Sequence, residues 1–225
     1  VSVEVISGYG TNRQGGWSSE VGLSIEFKPA ASLTISAGPG VSRGHTLAQY
    51  VRSVTDPTAT ATYGGRYVFA DLEQTELSMS TRVNWILSPR MSLQAYLQPL
   101  VSVGAYSQFK ELRQPRTFTF TRYGTDTGTI TRGGPSGGYV VDPDGDGPAG
   151  TFEFDDPSFN FKSLRLNVVF RWEWRLGSTL YAVWTQQRED DSSPGALELG
   201  RDLAALSRAP GGHVFMIKVA YWFSR

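Results

Sequence analysis

The chain has 225 residues with 21 basic and 21 acidic side chains, so its formal net charge is zero, which excludes a general electrostatic attraction to nucleic acid or anionic surfaces. It has no cysteine, so disulfides and thiol chemistry are excluded as well. With 25 glycines, 12 Phe, 10 Tyr and 6 Trp, the composition suits strands better than helices, and no apolar run approaches the ~20 residues of a spanning helix.

The first stretch, VSVEVISGYG, lacks the basic start and apolar block of a signal peptide and reads as a strand. The chain therefore reads as a mature or truncated product that begins inside structure. From Trp17 to Phe27 the odd positions (Trp17, Val21, Leu23, Ile25, Phe27) are mostly apolar and the even ones polar or glycine. After a turn at 28–31, Leu33, Ile35, Ala37 and Val41 oppose Thr34, Ser36 and Ser42. Leu77, Met79, Val83, Trp85 and Leu87 then oppose Glu76, Ser78, Ser80, Arg82 and Asn84. A turn at 88–91 leads into Leu93, Ala95, Leu97, Val101 and Val103 against Ser92, Gln94, Gln98 and Ser102.

The clearest strand sets Leu164, Leu166, Val168, Phe170, Trp172 and Trp174 against Arg165, Asn167, Arg171, Glu173 and Arg175. A turn at 175–178 starts the next strand, Thr179 to Arg188. The last strand is HVFMIKVAYWFSR, with Phe215, Ile217, Val219, Tyr221 and Phe223 in alternation and Ser224 and Arg225 as a short overhang. Only Asp190–Leu206 carries a weak helical pattern, and it falls in a loop.

Short turns alternate with long polar connections at about 43–66, 107–160 and 188–212, which is the layout of an outer-membrane barrel. The expectation is an all-β, antiparallel, up-and-down transmembrane β-barrel of about eight strands, a single domain over 1–225. It either closes alone or forms the C-terminal part of a larger barrel. A soluble barrel or sandwich would alternate in the same way with its apolar face inward. The membrane reading is favoured by a polar face rich in Ser, Gly, Thr, Gln and Asn, and by aromatics at the strand ends. Trp17, Phe27, Trp85, Trp172, Trp174, Tyr221 and Phe223 are the expected interfacial girdle, because flat amphipathic rings suit the headgroup layer. The aromatic-ended final strand resembles the signal read by the outer-membrane assembly machinery.

Several stretches carry a family resemblance: RYVFADLEQTELSMSTRVNWILSPRMSLQAYLQPLVSVGAY, VVDPDGDGPAG, DPSFNFKSLRLNVVFRWEWRLGSTLYAVWTQQRED and FMIKVAYWFSR. They are similar to the C-terminal region of bacterial proteins grouped as domain of unknown function 5916. The resemblance runs from about residue 20 onward, and RWEWRLGSTLYAVW is its most specific part. It implies an outer-membrane place in a Gram-negative-type bacterium. It also implies that the chain is the last part of a longer protein, in which an N-terminal domain similar to family-nine carbohydrate-binding modules usually precedes the barrel. The first strand would then pair with sequence outside this chain.

Inward-facing Glu76, Arg82, Arg165, Arg171, Glu173, Arg175 and Lys218 are the expected lumen lining. In a barrel of about eight strands they would fill the interior as ion pairs, and in one of about sixteen they would line a water-filled pore. Asp142, Asp144, Asp146, Gly147 and Glu153 have the spacing of a calcium loop, but Pro143 and Pro148 restrict it and no helices flank it, so the competing reading is a turn-rich surface loop. His45 and His213 are the only imidazoles, and nothing in their spacing makes a triad. Tyr106, Phe109, Phe118, Phe120, Tyr123 and Tyr139 put rings in the long loops, where they would bind a saccharide or protein partner or simply stiffen a hairpin.

The leading expectation is therefore a non-enzymatic outer-membrane protein that touches lipid and passes or binds a solute, for which the family's companion domain implies a saccharide. It has no cofactor apart from a candidate Ca2+ and no nucleic-acid partner. The alternatives are a structural or adhesive surface protein with calcium-supported loops, and a barrel hydrolase using His45 or His213.

Overall fold

A computed structural model describes residues 1–133, 137–191 and 195–223. In chain order the elements are β1 (Ser2–Thr11), β2 (Trp17–Ala30), β3 (Leu33–Thr55), a 3-10 turn (Thr60–Thr62), β4 (Gly65–Ser88) and β5 (Met91–Leu112). Four short strands follow: β6 (Phe120–Arg122), β7 (Thr129–Arg132), β8 (Tyr139–Asp142) and β9 (Phe152–Phe154). The chain then returns through β10 (Phe159–Arg175), β11 (Ser178–Asp190), helix α1 (Leu199–Arg208) and β12 (Gly211–Ala220).

The eight long strands form one antiparallel sheet in the order β1-β2-β3-β4-β5-β10-β11-β12, with β6 as an extra strand on the upper part of β5. Strand number, direction and up-and-down order are as the alternation predicts. Closure is not observed. β1 pairs only with β2 and β12 only with β11, so among the described residues the sheet has two open edges. The overhang Ser224–Arg225 lies outside the described residues.

One of the expected loops is largely strand. β3 runs to Thr55 and β4 starts at Gly65, so most of 43–66 is a hairpin projecting beyond the stretch that alternation marks. Its polar, Thr- and Gly-rich sequence is compatible with a strand in water, and polarity alone reads as loop. The third expected loop contains α1, which is shorter and later than the pattern over Asp190–Leu206; residues 192–194 of that pattern lie outside the described residues.

The buried core lies at the loop end of the sheet. β7, β8 and β9 form a separate three-stranded sheet that packs on the projecting part of β4 and β5. Val68, Ala70, Phe109, Tyr123, Val141 and Phe154 are its buried members, with Val51, Tyr106, Ile130, Tyr139 and Phe152 packed around them. Phe109, Tyr139 and Phe154 meet with ring centroids 4.5–5.4 Å apart. The Arg52 guanidinium donates to the Glu153 carbonyl at 2.6 Å, tying β9 back to β3. Thus the stretch 107–160 is a folded cap.

Because this core lies between the cap and the upper ends of β4 and β5, away from the lower sheet, the cap should lose stability independently of the lower parts of the long strands. Phe109→Ala is expected to cost the cap about 3–5 kcal/mol. The check is limited proteolysis: cleavage between residues 113 and 158 should rise sharply while the far-UV strand signal stays constant.

Candidate functional site: a two-faced sheet under a cap

β4 keeps regular alternation from Arg66 to Ile86, because the extra residues at its upper irregularities lie on β3 and β5. Its even residues therefore share one face and its odd residues the other. In the lower half the even face is polar (Gln74, Glu76, Ser78, Ser80, Arg82, Asn84) and the odd face largely apolar (Leu77, Met79, Val83, Trp85). In the upper half the polarity inverts. Val68, Ala70 and Leu72 on the even face are buried, and Asp71 and Glu73 on the odd face carry charge.

The same inversion occurs on β10. Leu164 to Trp174 are apolar on the face where Asn160 and Lys162 sit above them, while Arg165 to Glu173 share the other face with Phe159 and Phe161. On β3 the apolar run Leu33–Val41 gives way to Arg43 and His45 on the same face. The apolar band is therefore about nine to eleven residues long, the length a tilted strand needs to cross a bilayer core.

The band's upper limit descends across the last strands. It lies between Leu164 and Lys162 on β10, between Trp184 and Gln186 on β11, and between Phe215 and His213 on β12. In register, Gln186 and His213 lie opposite Leu166. Such a drift is what a flat boundary makes across tilted strands.

Nothing among the described residues covers this band. Ile217 is 72% and Phe215 73% exposed, and Val21, Leu23, Phe27, Met79, Trp85 and Trp172 are exposed as well. At its turn end the rings expected as a girdle gather: Phe27, Trp85, Trp172 and Trp174 near the turns, with Tyr221 and Phe223 just past β12. Trp17 stands at the opposite end of β2, beside His45. Trp184, His213 and Phe215 stack almost parallel at the loop end of the last strands, a second aromatic group that sequence reading missed. Spotting it required the β11–β12 register.

The chain matches the model of the family described as Domain of unknown function (DUF5916) over residues 5–224. It belongs to that family. No curated protein and no solved structure matches it.

On this DUF5916 sheet the polar face carries six of the seven residues expected to line a lumen: Glu76, Arg82, Arg165, Arg171, Glu173 and Lys218. Arg171 pairs with Glu173 at 3.2 Å, and the Arg82 guanidinium lies over the Tyr96 ring. Arg175 sits past a bulge at the turn end and donates to the Tyr221 hydroxyl. The register adds Glu4 and Glu20, absent from the expected set, to the same face. A concavity of about 610 Å3 opens beside them, with Gly8, Gly10, Ser18, Glu20, Ser42 and Gln74 in its lining.

Above the band, several charges are satisfied by close partners. The Lys162 ammonium, 1% exposed, meets Asp190 at 2.6 Å and the Asn160 carbonyl at 3.1 Å. Asn160 donates to Asp202 of α1, and Arg188 donates to the Ser207 carbonyl at the helix's far end. Burial would raise the Asp202 carboxyl, but the Glu198 amide, Arg201 and Asn160 hold it below its ordinary value.

The calcium-loop residues are not gathered. Asp142 accepts from the amides of Asp144 and Gly145, and Asp144 accepts from the amide of Ala149 at 3.0 Å. Asp146 and Glu153 are exposed, and the described residues contain no group of three or more potential metal ligands. The carboxylates of Asp142 and Asp144 organise their own turn. His45 lies 3.6 Å from Asp71, whose other oxygen takes Lys110, while His213 accepts from the Trp184 indole. Among the described residues neither imidazole is hydrogen-bonded to a hydroxyl.

The tip of the β3–β4 hairpin is held by a buried cluster that sequence reading also missed. Arg66 donates to Asp56 at 2.5 Å, to both Glu111 oxygens at 2.7 and 2.8 Å, and to the Thr58 hydroxyl. The Tyr123 hydroxyl donates to Glu111, and burial pushes its pKa up. The Arg66 guanidinium, helped by the Thr58 hydroxyl, lowers the Asp56 pKa from 3.8 to about 2. A carboxyl depressed on folding contributes stability above its unfolded pKa and loses it as pH falls through the folded one.

Acidification from pH 4 toward pH 2 should therefore loosen the hairpin tip, read as faster amide exchange over residues 56–64. In Asp56→Asn that acid step should disappear while exchange at pH 7 is already faster.

Proposed function

We propose that the chain forms part of the wall of an outer-membrane β-barrel, with the apolar band against lipid and the polar face against a water-filled interior. The observation that carries this is the swap of face polarity within single continuous strands. Side-chain parity is constant along an unbroken strand, so the surroundings on both sides must change at one height. A soluble β fold would need a second layer on the apolar band. A dozen large apolar side chains left in water forgo on the order of 20 kcal/mol, more than the net stability of a typical domain.

Two open edges in lipid would leave rows of unpaired backbone groups, a cost that spanning structures avoid by closing. We infer that further strands beyond these eight complete the wall. As strands are added the interior widens, and in a barrel of about sixteen it is too wide for side chains to fill and admits a small hydrophilic solute. The cap packs on the upper continuation of the polar face, so it stands at the loop-side mouth of that route. Passage of a solute, rather than catalysis, follows from the polar lining and from the absence of a gathered nucleophile and base among the described residues.

Reconstituted protein should show tryptophan fluorescence quenched by bromine-labelled acyl chains, since Trp85, Trp172 and Trp184 all lie on the band. Completed by the strands that close its wall, it should also conduct ions in planar bilayers, with the anion share falling when Arg165 and Arg171 are replaced by Glu. Quenching by aqueous iodide with none by the brominated lipid rules out the membrane placement, and silence from the completed, folded barrel rules out passage.

A further inference from the structure

The polar face carries a separation of charge that pairing does not explain. Two of its ion pairs are neutralised locally: Glu26 meets Lys28 at 2.9 Å, and Glu173 meets Arg171. Within the band Glu4, Glu20 and Glu76 have no cationic partner among the described residues, and they lie on β1, β2 and β4. Arg82, Arg165 and Lys218 have no carboxylate partner there, and they lie on β4, β10 and β12.

Position keeps the two sets apart. Glu20, Ser42 and Glu76 stand in one cross-strand row, so these carboxylates sit two strand spacings, roughly 10 Å, from each other. Arg82 is six residues below Glu76 on the same strand, roughly 20 Å away. The floor around the acids is small. A side chain at Gly8 would come within 2.9 Å of the Glu20 carboxylate, and Gly22, Gly38 and Gly40 continue the strip. The carboxylates therefore project over glycine with nothing bulky to screen them.

Resting on the passage reading above, we propose that this wall holds a divided field, acidic over β1, β2 and the upper part of the band on β4, and basic over the lower part of β4 and over β10 and β12. The route along it then favours zwitterionic solutes, such as amino acids and short peptides, over uncharged solutes of similar size. Opposite charges held apart beside low-dielectric walls focus a field across the space between them. A zwitterion can turn its ammonium to the glutamates and its carboxylate to the arginines and lysine at once. A simple ion is attracted at one side and repelled at the other, and an uncharged polyol or sugar gains little at either.

The test uses the completed barrel, this chain together with the strands that close it, in proteoliposomes, with L-serine and erythritol as the paired probes and ion selectivity measured in parallel. L-serine should enter several-fold faster than erythritol. Glu4→Gln, Glu20→Gln and Glu76→Gln together should bring the two rates level and turn the conductance toward anions. Arg82→Gln, Arg165→Gln and Lys218→Gln should turn it toward cations. The single variants Glu20→Gln and Arg165→Gln, checked for an intact protease-resistant cap, should move selectivity in the same opposite directions. Equal entry of both probes through a conducting protein, or selectivity that ignores the substitutions, overturns the zwitterion inference and leaves passage standing. No entry of either probe and no conductance removes both.

Discussion

β4 and β10 obey one constraint: the side-chain parity of each strand holds through the height at which its surroundings change. Hydrogen bonding fixes which side chains share a face, and no residue can turn to the other side unless a bulge intervenes. β4 meets that constraint by changing composition rather than geometry. Between Leu72 and Leu77 its apolar positions move from the even residues to the odd ones. β10 does the same between Phe161 and Leu164. The cap, the polar wall and the exposed band all follow from where those switches lie.

The consequence is a protein whose buried core is displaced from its largest element. The long sheet contributes two open faces below the switch and one packed face above it. The cap closes on that packed face through Phe109, Tyr139 and Phe154, while Arg66, Asp56 and Glu111 staple the adjacent hairpin tip. A buried guanidinium is tolerable there because two carboxylates and a hydroxyl satisfy it. Around the other side, Lys162 and Asp202 are satisfied in the same manner beneath α1. Several charges above the band find close partners, whereas Glu4, Glu20 and Glu76 on the polar face below have no cationic partner among the described residues.

Much of this was legible in the residues. Runs such as Leu164–Trp174 and Leu33–Val41 alternate so regularly that strand, face and hairpin order can be read directly, and RWEWRLGSTLYAVW points to the DUF5916 family. The cap was not legible, because β6–β9 are three or four residues each and sit among Gly, Pro and Asp, which mimic plain turns. The hairpin tip was missed because residues 43–55 break the alternation of the lower band: β3 carries two register shifts between Thr46 and Arg52, and Arg43, His45 and Arg52 interrupt its apolar positions. The phase change in YVFADLEQTELSMS was the available signal, and it is visible only when one strand is followed through 24 residues instead of being cut where its alternation slips.

By itself the sequence determined the all-β class, the antiparallel meander, the apolar and polar stripes and the family, because period-two alternation and hairpin turns are local properties. Only the tertiary structure decided that the ends of the sheet do not meet, that the loops fold into a cap over the upper ends of β4 and β5, and which charges face one another. Those depend on contacts between residues far apart in the chain: Arg66 with Glu111, Arg52 with Glu153, Lys162 with Asp190. Local patterning fixes which way a side chain points, but register and packing over such distances fix what it points at.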